Sequence, residues 1–347
     1  MGSLALLYSF RMLGLFMVLP LLALYAADMP GASPFMIGLA LGIYGLTQAL
    51  FQIPFGWMSD RWGRKPVIFA GLALFALGSA LAATADSVGG IILGRTLQGA
   101  GAIAAAVIAL ASDLTRDEQR TKAMALIGMT IGLAFFISLV LGPVLDRTIG
   151  VPGIFWLTAV LAVLAIFIVY RAVPTPVSSH LALDDGMGLK KQFSRILSDP
   201  HLLRLDFGIF CLHLLLIALF VSVPVTLVDS LGIQRESHWS VYLPVIMLSV
   251  IGMLPLVMMT TRNRRIPKIF LVAIGLLLVG ELAFFFGNDA KWLFLAGLVI
   301  WFAGFNALEA LLPSMVSRVA PVRNKGAAIG VYNSAEFFGA FLGGVLG

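Results

Sequence analysis

Eleven apolar runs, each long enough to cross a bilayer and each bounded by charged or turn-forming residues, constrain this chain more than any other feature. They cover about residues 3–27, 35–58, 66–85, 89–111, 123–145, 153–172, 204–229, 239–260, 268–287, 292–316 and 326–347. A hydrocarbon core about 30 Å thick takes roughly 20 helical residues to span. Backbone groups in lipid must be bonded within their own segment, which selects helices over open strands, and continuous runs rather than short alternating segments argue against an outer-membrane barrel. With 60% hydrophobic and 12% charged residues, the chain lies far from the roughly 25% charged norm of soluble domains. The predicted class is therefore an all-α, multi-pass membrane protein. The last run reaches Gly347 without a polar flank, so the eleven spans read as a twelve-helix plan lacking its twelfth helix.

The basic residues set the expected orientation. Alternate loops carry 16 of them: Arg61, Arg64, Lys65; Arg116, Arg120, Lys122; Lys190, Lys191, Arg195; Arg262, Arg264, Arg265, Lys268; and Arg318, Arg323, Lys325. The opposite loops carry 3: Arg147, Arg235 and Lys291. This asymmetry places the N-terminus and the basic loops in the cytoplasm, and it explains the net charge of +6 without a nucleic-acid partner. Met1-Gly2-Ser3 lacks a basic n-region and the first run is too long for a cleavable h-region, so the first helix is expected to stay in the membrane. Cys211 is alone, which leaves no disulfide within one chain. No cofactor site and no metal-ligand set is read.

A shift of about 201 residues lays Arg61, Arg64, Pro66, Ile68 and Phe69 on Arg262, Arg265, Pro267, Ile269 and Phe270, and a shift of 203 lays the segment 120–126 on 323–329. Two matches at nearly one offset suggest a duplicated six-helix unit, the arrangement in which a site lies between two rocking bundles. The expected organisation is an N-terminal bundle over 1–172, a linker over 173–203 and a C-terminal bundle over 204–347. Within the linker, Leu189, Phe193, Ile196 and Leu197 share one helical face, predicting a short helix on the membrane surface.

The stretch from Gly56 to Lys65 reads G-x-x-x-D-R-x-G-R-K between two membrane helices. Gly56 and Asp60 lie one turn apart, so the bare glycine lets a neighbouring helix approach the carboxylate. Gly63 permits the reversal, and Arg61, Arg64 and Lys65 can bond helix-end carbonyls or acids, Asp113 among them. All six specified residues of this ten-residue pattern match the signature loop of the major facilitator superfamily of transporters, which this chain resembles. Arg95-Thr96-Leu97-Gln98-Gly99 matches the R-x-x-Q-G pattern of that superfamily's fourth helix, and Gly142-Pro143, with Gly132 upstream, matches its antiporter signature in part, Asp146 and Arg147 standing where glycines are expected. The segments 9–14, 44–48 and 112–116 are similar to its bacterial drug-efflux group.

The resemblance implies that Gly56, Asp60, Arg61, Gly63, Arg64, Lys65 and Asp113 form a latch, with Asp60 facing the start of the eleventh helix near Gly326. The alternative is that these charges only anchor topology. It also implies a cavity lined by the first, fourth, seventh and tenth helices, and a coupling role for Arg95.

Ionisable groups at membrane depth cost roughly 2.5–3.5 kcal/mol on insertion scales and point to function by default. They are Arg11, Arg95, His213, Glu281, Glu309 and Glu336. Arg95, His213, Glu309 and Glu336 are candidates for proton coupling; Arg95 can instead snorkel, and a lone histidine is often a satisfied core group. Asn306 and Asn333 each stand one turn before a carboxylate. With Arg11, Tyr44, Gln48, Gln52, Gln98 and Phe135 they make the candidate substrate cavity, aromatic with a few hydrogen-bonding groups.

Gly99-Ala100-Gly101-Ala102-Ile103-Ala104 fits a dinucleotide fingerprint but follows no strand. It reads instead as a close-packing face, like the four-residue pairs Gly38/Gly42, Gly128/Gly132 and Gly339/Gly343.

Together these readings predict a secondary transporter of the bacterial inner membrane, not an enzyme, acting as a monomer with protons and a small organic substrate as partners and exporting by antiport. Nutrient symport is the nearest alternative, and a transporter-like membrane sensor a more distant one.

Overall fold

The computed structural model describes residues 2–174, 194, 196–263, 266–287, 290–320 and 325–347. Among them the chain is helical throughout, and its elements fall into eleven spans. The first combines Gly2–Met17 and Leu19–Ala27; the second is Pro34–Trp62 and the third Arg64–Ala83. The fourth combines Val88–Ala100 and Ala104–Asp113. Pro200–Asp229, Trp239–Asn263, Ile266–Phe286, Lys291–Val319 and Lys325–Leu346 are the seventh to eleventh.

The fifth and sixth spans share one long helical stretch, Asp117–Ala172, whose apolar part covers 47 residues. At about 1.5 Å per residue that is more than twice the thickness of a hydrocarbon core. Gly150, at φ +66° and ψ 174°, reverses the chain between them in a conformation open to a residue without Cβ. Gly63, at φ +93°, does the same between the second and third spans. Most of the expected linker helix lies outside the described residues; of its apolar face, Ile196 is buried and Leu197 exposed.

Helix starts follow local chemistry. Ser33 and Ser87 accept hydrogen bonds from the amides of Met36 and Gly90, and the Asp199 carboxylate accepts from His201 and Leu202. Two spans break where one continuous helix is expected. The first is interrupted at Val18, next to Pro20, which lacks an amide hydrogen. The fourth is interrupted at 101–103, within the glycine-rich stretch Gly99–Ala104.

Packing repeats between the first six and the last five spans. The first lies along the fifth and sixth as the seventh lies along the eleventh; the third packs on the fourth as the ninth on the tenth; the second meets the fourth as the eighth meets the tenth. Many large apolar side chains, Phe167, Phe207, Leu271 and Phe285 among them, point outward, as lipid-facing residues must.

Glycines set the closest approaches. A Cβ on Gly38, Gly42 or Gly45 would collide with the carbonyls of Gly344, Phe341 or Phe337, so the second and eleventh spans touch backbone to backbone. On its other side the eleventh span meets the seventh, with Gly339 and Gly343 against the carbonyls of Phe210 and Leu214. Gly99 and Gly101 abut Tyr44 and Gly71, consistent with a packing role for that stretch. Gly128 and Gly132 differ from expectation: nothing lies within 4 Å of where their Cβ atoms would stand.

A Cβ on Gly78 would stand 2.5 Å from the amide nitrogen of Gln98 and 2.6 Å from the carbonyl oxygen of Gly94. Gly78→Val should therefore overpack the third–fourth interface and cost about 1–3 kcal/mol. Thermal unfolding in detergent is expected to move down by several degrees; an unchanged midpoint would contradict this packing.

Candidate functional site

The basic loops mark one face of the molecule, here the signature-loop face. On it, Arg64 bonds Asp113 through Nε at 3.0 Å, donates to Ser59 Oγ at 2.9 Å, and pairs with Asp60 one turn away. Arg61 lies over the Trp57 ring at 4.3 Å, and Lys65 is half-buried in the first turn of the third span. The Asp60 side chain is 54% exposed. Gly56 finds its nearest neighbour in Ala105 of the fourth span, and nothing stands within 4 Å of a Cβ on Gly330 of the eleventh. The second and eleventh spans therefore touch through Gly38–Gly344 and Gly45–Phe337 at the opposite face and part toward the signature loop.

Deeper in the first six spans, two buried arginines organise a polar network, each only 1% exposed. Arg11 donates through Nη2 to Tyr44 Oη and to the carbonyl of Gly101, both at 3.1 Å. That carbonyl belongs to the break in the fourth span, so the arginine satisfies an acceptor that the interrupted helix frees. Arg95 donates to Gln98 Oε1 at 3.1 Å and to the Ala40 carbonyl at 3.4 Å, and stacks over Tyr44 at 4.9 Å. Gln98 passes the chain to Ser79 Oγ at 2.7 Å, which donates to the carbonyl of Phe75. Gln52 donates to Gln48 at 2.9 Å. Arg11, Arg95, Gln48, Gln52 and Gln98 are thus bound into the interior of the first six spans, and Tyr44 joins that interior to the eleventh span through an edge-on contact with Phe337.

The last five spans hold acids instead. His213 Nε2 stands 3.4 Å from Glu336 Oε1. Glu309 and Glu336 lie within electrostatic reach of each other and of Tyr332, whose hydroxyl is buried with no hydrogen-bond partner. Asp206, within the same reach of Tyr332, is buried with neither carboxylate oxygen bonded. Asn306 does not pair with Glu309: its amide donates to Ser249 Oγ at 3.2 Å and ties the tenth span to the eighth. Asn333 is half-buried one turn before Glu336. Glu281 accepts from the Trp301 indole at 2.8 Å, apart from this group.

An aromatic cluster roofs the acids on the side of the closed contacts. Phe135 packs on Phe16 at 5.0 Å and on Phe136 at 5.9 Å within the first six spans, and on Phe220 and Phe305, at 6.4 and 6.3 Å, across the divide. Phe305 stacks on Trp301 and meets His213 edge-on at 6.1 Å. Apolar rings from both groups of spans thus adjoin the titratable cluster.

Sequence reasoning missed Asp206, Ser79, Tyr332 and the pair Asp146–Arg235. For Asp206 a signal was present: an acid a turn and a half into a helix of mostly apolar residues. Ser79 and the pair Asp146–Arg235 declare themselves only through partners distant in sequence.

Broken helices, paired small-residue faces and a duplicated packing plan define a secondary-transporter body, and the profile of the Major Facilitator Superfamily matches residues 4–344: the chain belongs to that family, one of transporters and not of enzymes. Among curated relatives it is similar to the inner membrane transport protein YajR of Escherichia coli (strain K12), 47% identical over 340 residues, 98% of this chain and 74% of the relative. The multidrug resistance protein MdtL of Escherichia coli O81 (strain ED1a) is 29% identical over 223 residues, 61% of this chain and 54% of the relative. Among solved structures, a bacterial homologue of the human lysosomal transporter Spinster shares the fold, with a TM-score of 0.77 at 15% identity over 99% of this chain and 80% of that one.

Ser79→Ala would leave the Gln98 amide a buried donor without an acceptor, at about 1–3 kcal/mol. Unfolding in detergent should shift accordingly, with Ser79→Thr recovering part of the loss; a neutral Ser79→Ala would show that the network does not bear on stability.

Proposed function

We propose that this protein is a proton-coupled exporter of small amphipathic organic molecules in the bacterial inner membrane, working by alternating access with its N-terminus in the cytoplasm. The observation that carries the reading is the placement of His213, Glu309 and Glu336 at membrane depth, beside aromatic rings drawn from both groups of spans, in a body whose groups touch on one face and part on the other. Removable charge in lipid is costly and therefore functional by default. The similarity to YajR supports the membrane, and the more distant likeness to MdtL supports export of drug-like compounds.

In the proposed cycle the present conformation is open to the cytoplasm and takes up substrate against the aromatic roof. Protons exchange at Glu336 and Glu309, with the His213 ring 3.4 Å from the Glu336 carboxyl. The opposite conformation closes the signature-loop face. Extending the antiparallel register of the glycine contacts brings Gly56 opposite Gly326 and Gln52 opposite Gly330, where Asp60 reaches the eleventh span and Arg64, Asp113, Arg61, Lys65 and the turn at Gly63 hold it as a latch. Phe135 and Asn333 line the substrate space, while Arg11, Arg95, Tyr44, Gln48, Gln52 and Gln98 keep its wall rigid. A proton entering across 100 mV supplies about 2.3 kcal/mol, enough for roughly 50-fold accumulation of an uncharged substrate exchanged one for one; a monovalent cation exchanged one for one draws on the pH gradient instead.

Inside-out vesicles carrying the protein should accumulate a lipophilic cation such as ethidium when energised, with Glu309→Gln and Glu336→Gln falling to the leak rate and Glu281→Gln retaining transport. Uptake that requires right-side-out vesicles would support nutrient symport, and full activity in both carboxamide variants would remove these residues from coupling. A cysteine pair at Gln52 and Gly330 should crosslink only after the signature-loop face closes; crosslinking that ignores pH and substrate would contradict the cycle.

A further inference from the structure

The face opposite the signature loop carries its own ion pair. Arg235, in the 3₁₀ turn Arg235–Ser237 between the seventh and eighth spans, donates through Nη2 to Oδ1 of Asp146, at the end of the fifth span, at 2.8 Å, while its Nε stands 2.6 Å from Oδ2 in an ionic contact without an aligned hydrogen bond. Among the described residues it is the ion pair that joins the first six spans to the last five. Isolated surface pairs are worth little, because two long side chains must be ordered in water. This pair differs in two respects. The guanidinium meets both carboxylate oxygens, one through a charge-assisted hydrogen bond and the other through a close ionic contact, and its side chains are 8% and 22% exposed, the aspartate nearly enclosed.

Both partners are held in place before they meet. Gly232, at φ +65°, turns the chain out of the seventh span, and the amide of Ile233 bonds back to the carbonyl of Leu227. The buried His238 ring contacts the Ile233 carbonyl at 3.2 Å and meets Tyr242 edge-on, anchoring the far side of the turn. Asp146 follows Gly142-Pro143, where the fifth span lies so close to Met17 that a Cβ on Gly142 would strike its carbonyl. The two backbones are thus placed before the pair forms, which lowers the ordering cost of bringing its charges together. Tyr25, at the end of the first span, lies within electrostatic reach of Arg235 and of Asp86, so the same face gathers further charge around the pair.

We propose that Asp146 and Arg235 are the clasp of the closed opposite face: their nearly enclosed ion pair holds the two groups of spans together there, and it must separate before that face opens. The clasp complements the backbone contacts of the second and eleventh spans on the other flank of the same face. It rests on the alternating-access reading, but it is tested without substrate or proton gradient, so a failed transport assay and a failed clasp are separate results.

The measurement is a pulsed electron-spin distance between nitroxides at Thr148→Cys and Ser240→Cys, in a Cys211→Ser background reconstituted in nanodiscs. Asp146→Asn and Arg235→Gln should each raise the ratio of separated to closed molecules by about fivefold or more, the lower end of typical conformational coupling. The reversal Asp146→Arg with Arg235→Asp should bring it back to within about twofold of the parent. Arg235→Lys keeps the charge but not the fork, should fall between parent and Arg235→Gln, and serves if the neutral variants do not fold. Parent-like distances in the neutral variants, or in Arg235→Lys where only that variant folds, overturn the clasp; so does a reversal that recovers nothing. Lower thermal stability with an unmoved distance distribution would show a local staple instead and equally overturn it.

Discussion

Backbone contact between the second and eleventh spans, through Gly38, Gly42 and Gly45, is the constraint on which the arrangement rests. Lipid tails are as apolar as leucine, so helices in a bilayer gain nothing from hiding apolar surface from water and must associate by close packing and polar bonds. Glycine lines supply the packing. Because the contact occupies only the half of each span nearest the opposite face, it joins the two groups of spans without locking them, and the other half is left to separate. The eleventh span is held on its second side by the seventh, so a change at the interface travels as movement of a packed group rather than of one helix.

Charge follows the same division. The arginines of the first six spans are permanent cations, and carbonyls, an amide and aromatic faces hold them in a network that also mends the broken fourth span. The last five spans carry groups that can gain or lose a proton, His213, Glu309, Glu336 and Asp206, several of them with unbonded buried atoms. A fixed wall facing a titratable one is suited to a machine in which one side senses the proton while the other keeps its shape. This division supports the proposed coupling at Glu309 and Glu336 and a supporting role for Arg95.

Legibility in the sequence divided along the range of the interactions. Spans and the reversal between the second and third were readable because each is local: apolar length for the one, Gly63 for the other. Asp113 was readable as a partner for Arg64, 49 residues away, because the alternation of spans brings both to the same basic face. The breaks at Val18 and at 101–103 were not, since an apolar helix tolerates them only where neighbours take up the freed groups, as Arg11 does for Gly101. Asn306 was assigned to Glu309 from spacing on one helix, whereas Ser249 on the eighth span claimed it. Asp146 and Arg235 were visible as anomalies, an acid where glycine was expected and one of three cations on the sparsely basic face, but their pairing is a tertiary fact.

The central claim is that the two faces open in alternation about a shared interface. Distances across both faces, measured by pulsed electron-spin resonance in the same reconstituted protein over a range of pH and with ethidium present or absent, test it most directly. The account predicts two populations in which a closed opposite face accompanies a separated signature-loop face, and the reverse, with the ratio moving between conditions. Distances on the two faces that vary independently, or that keep one value throughout, would contradict it.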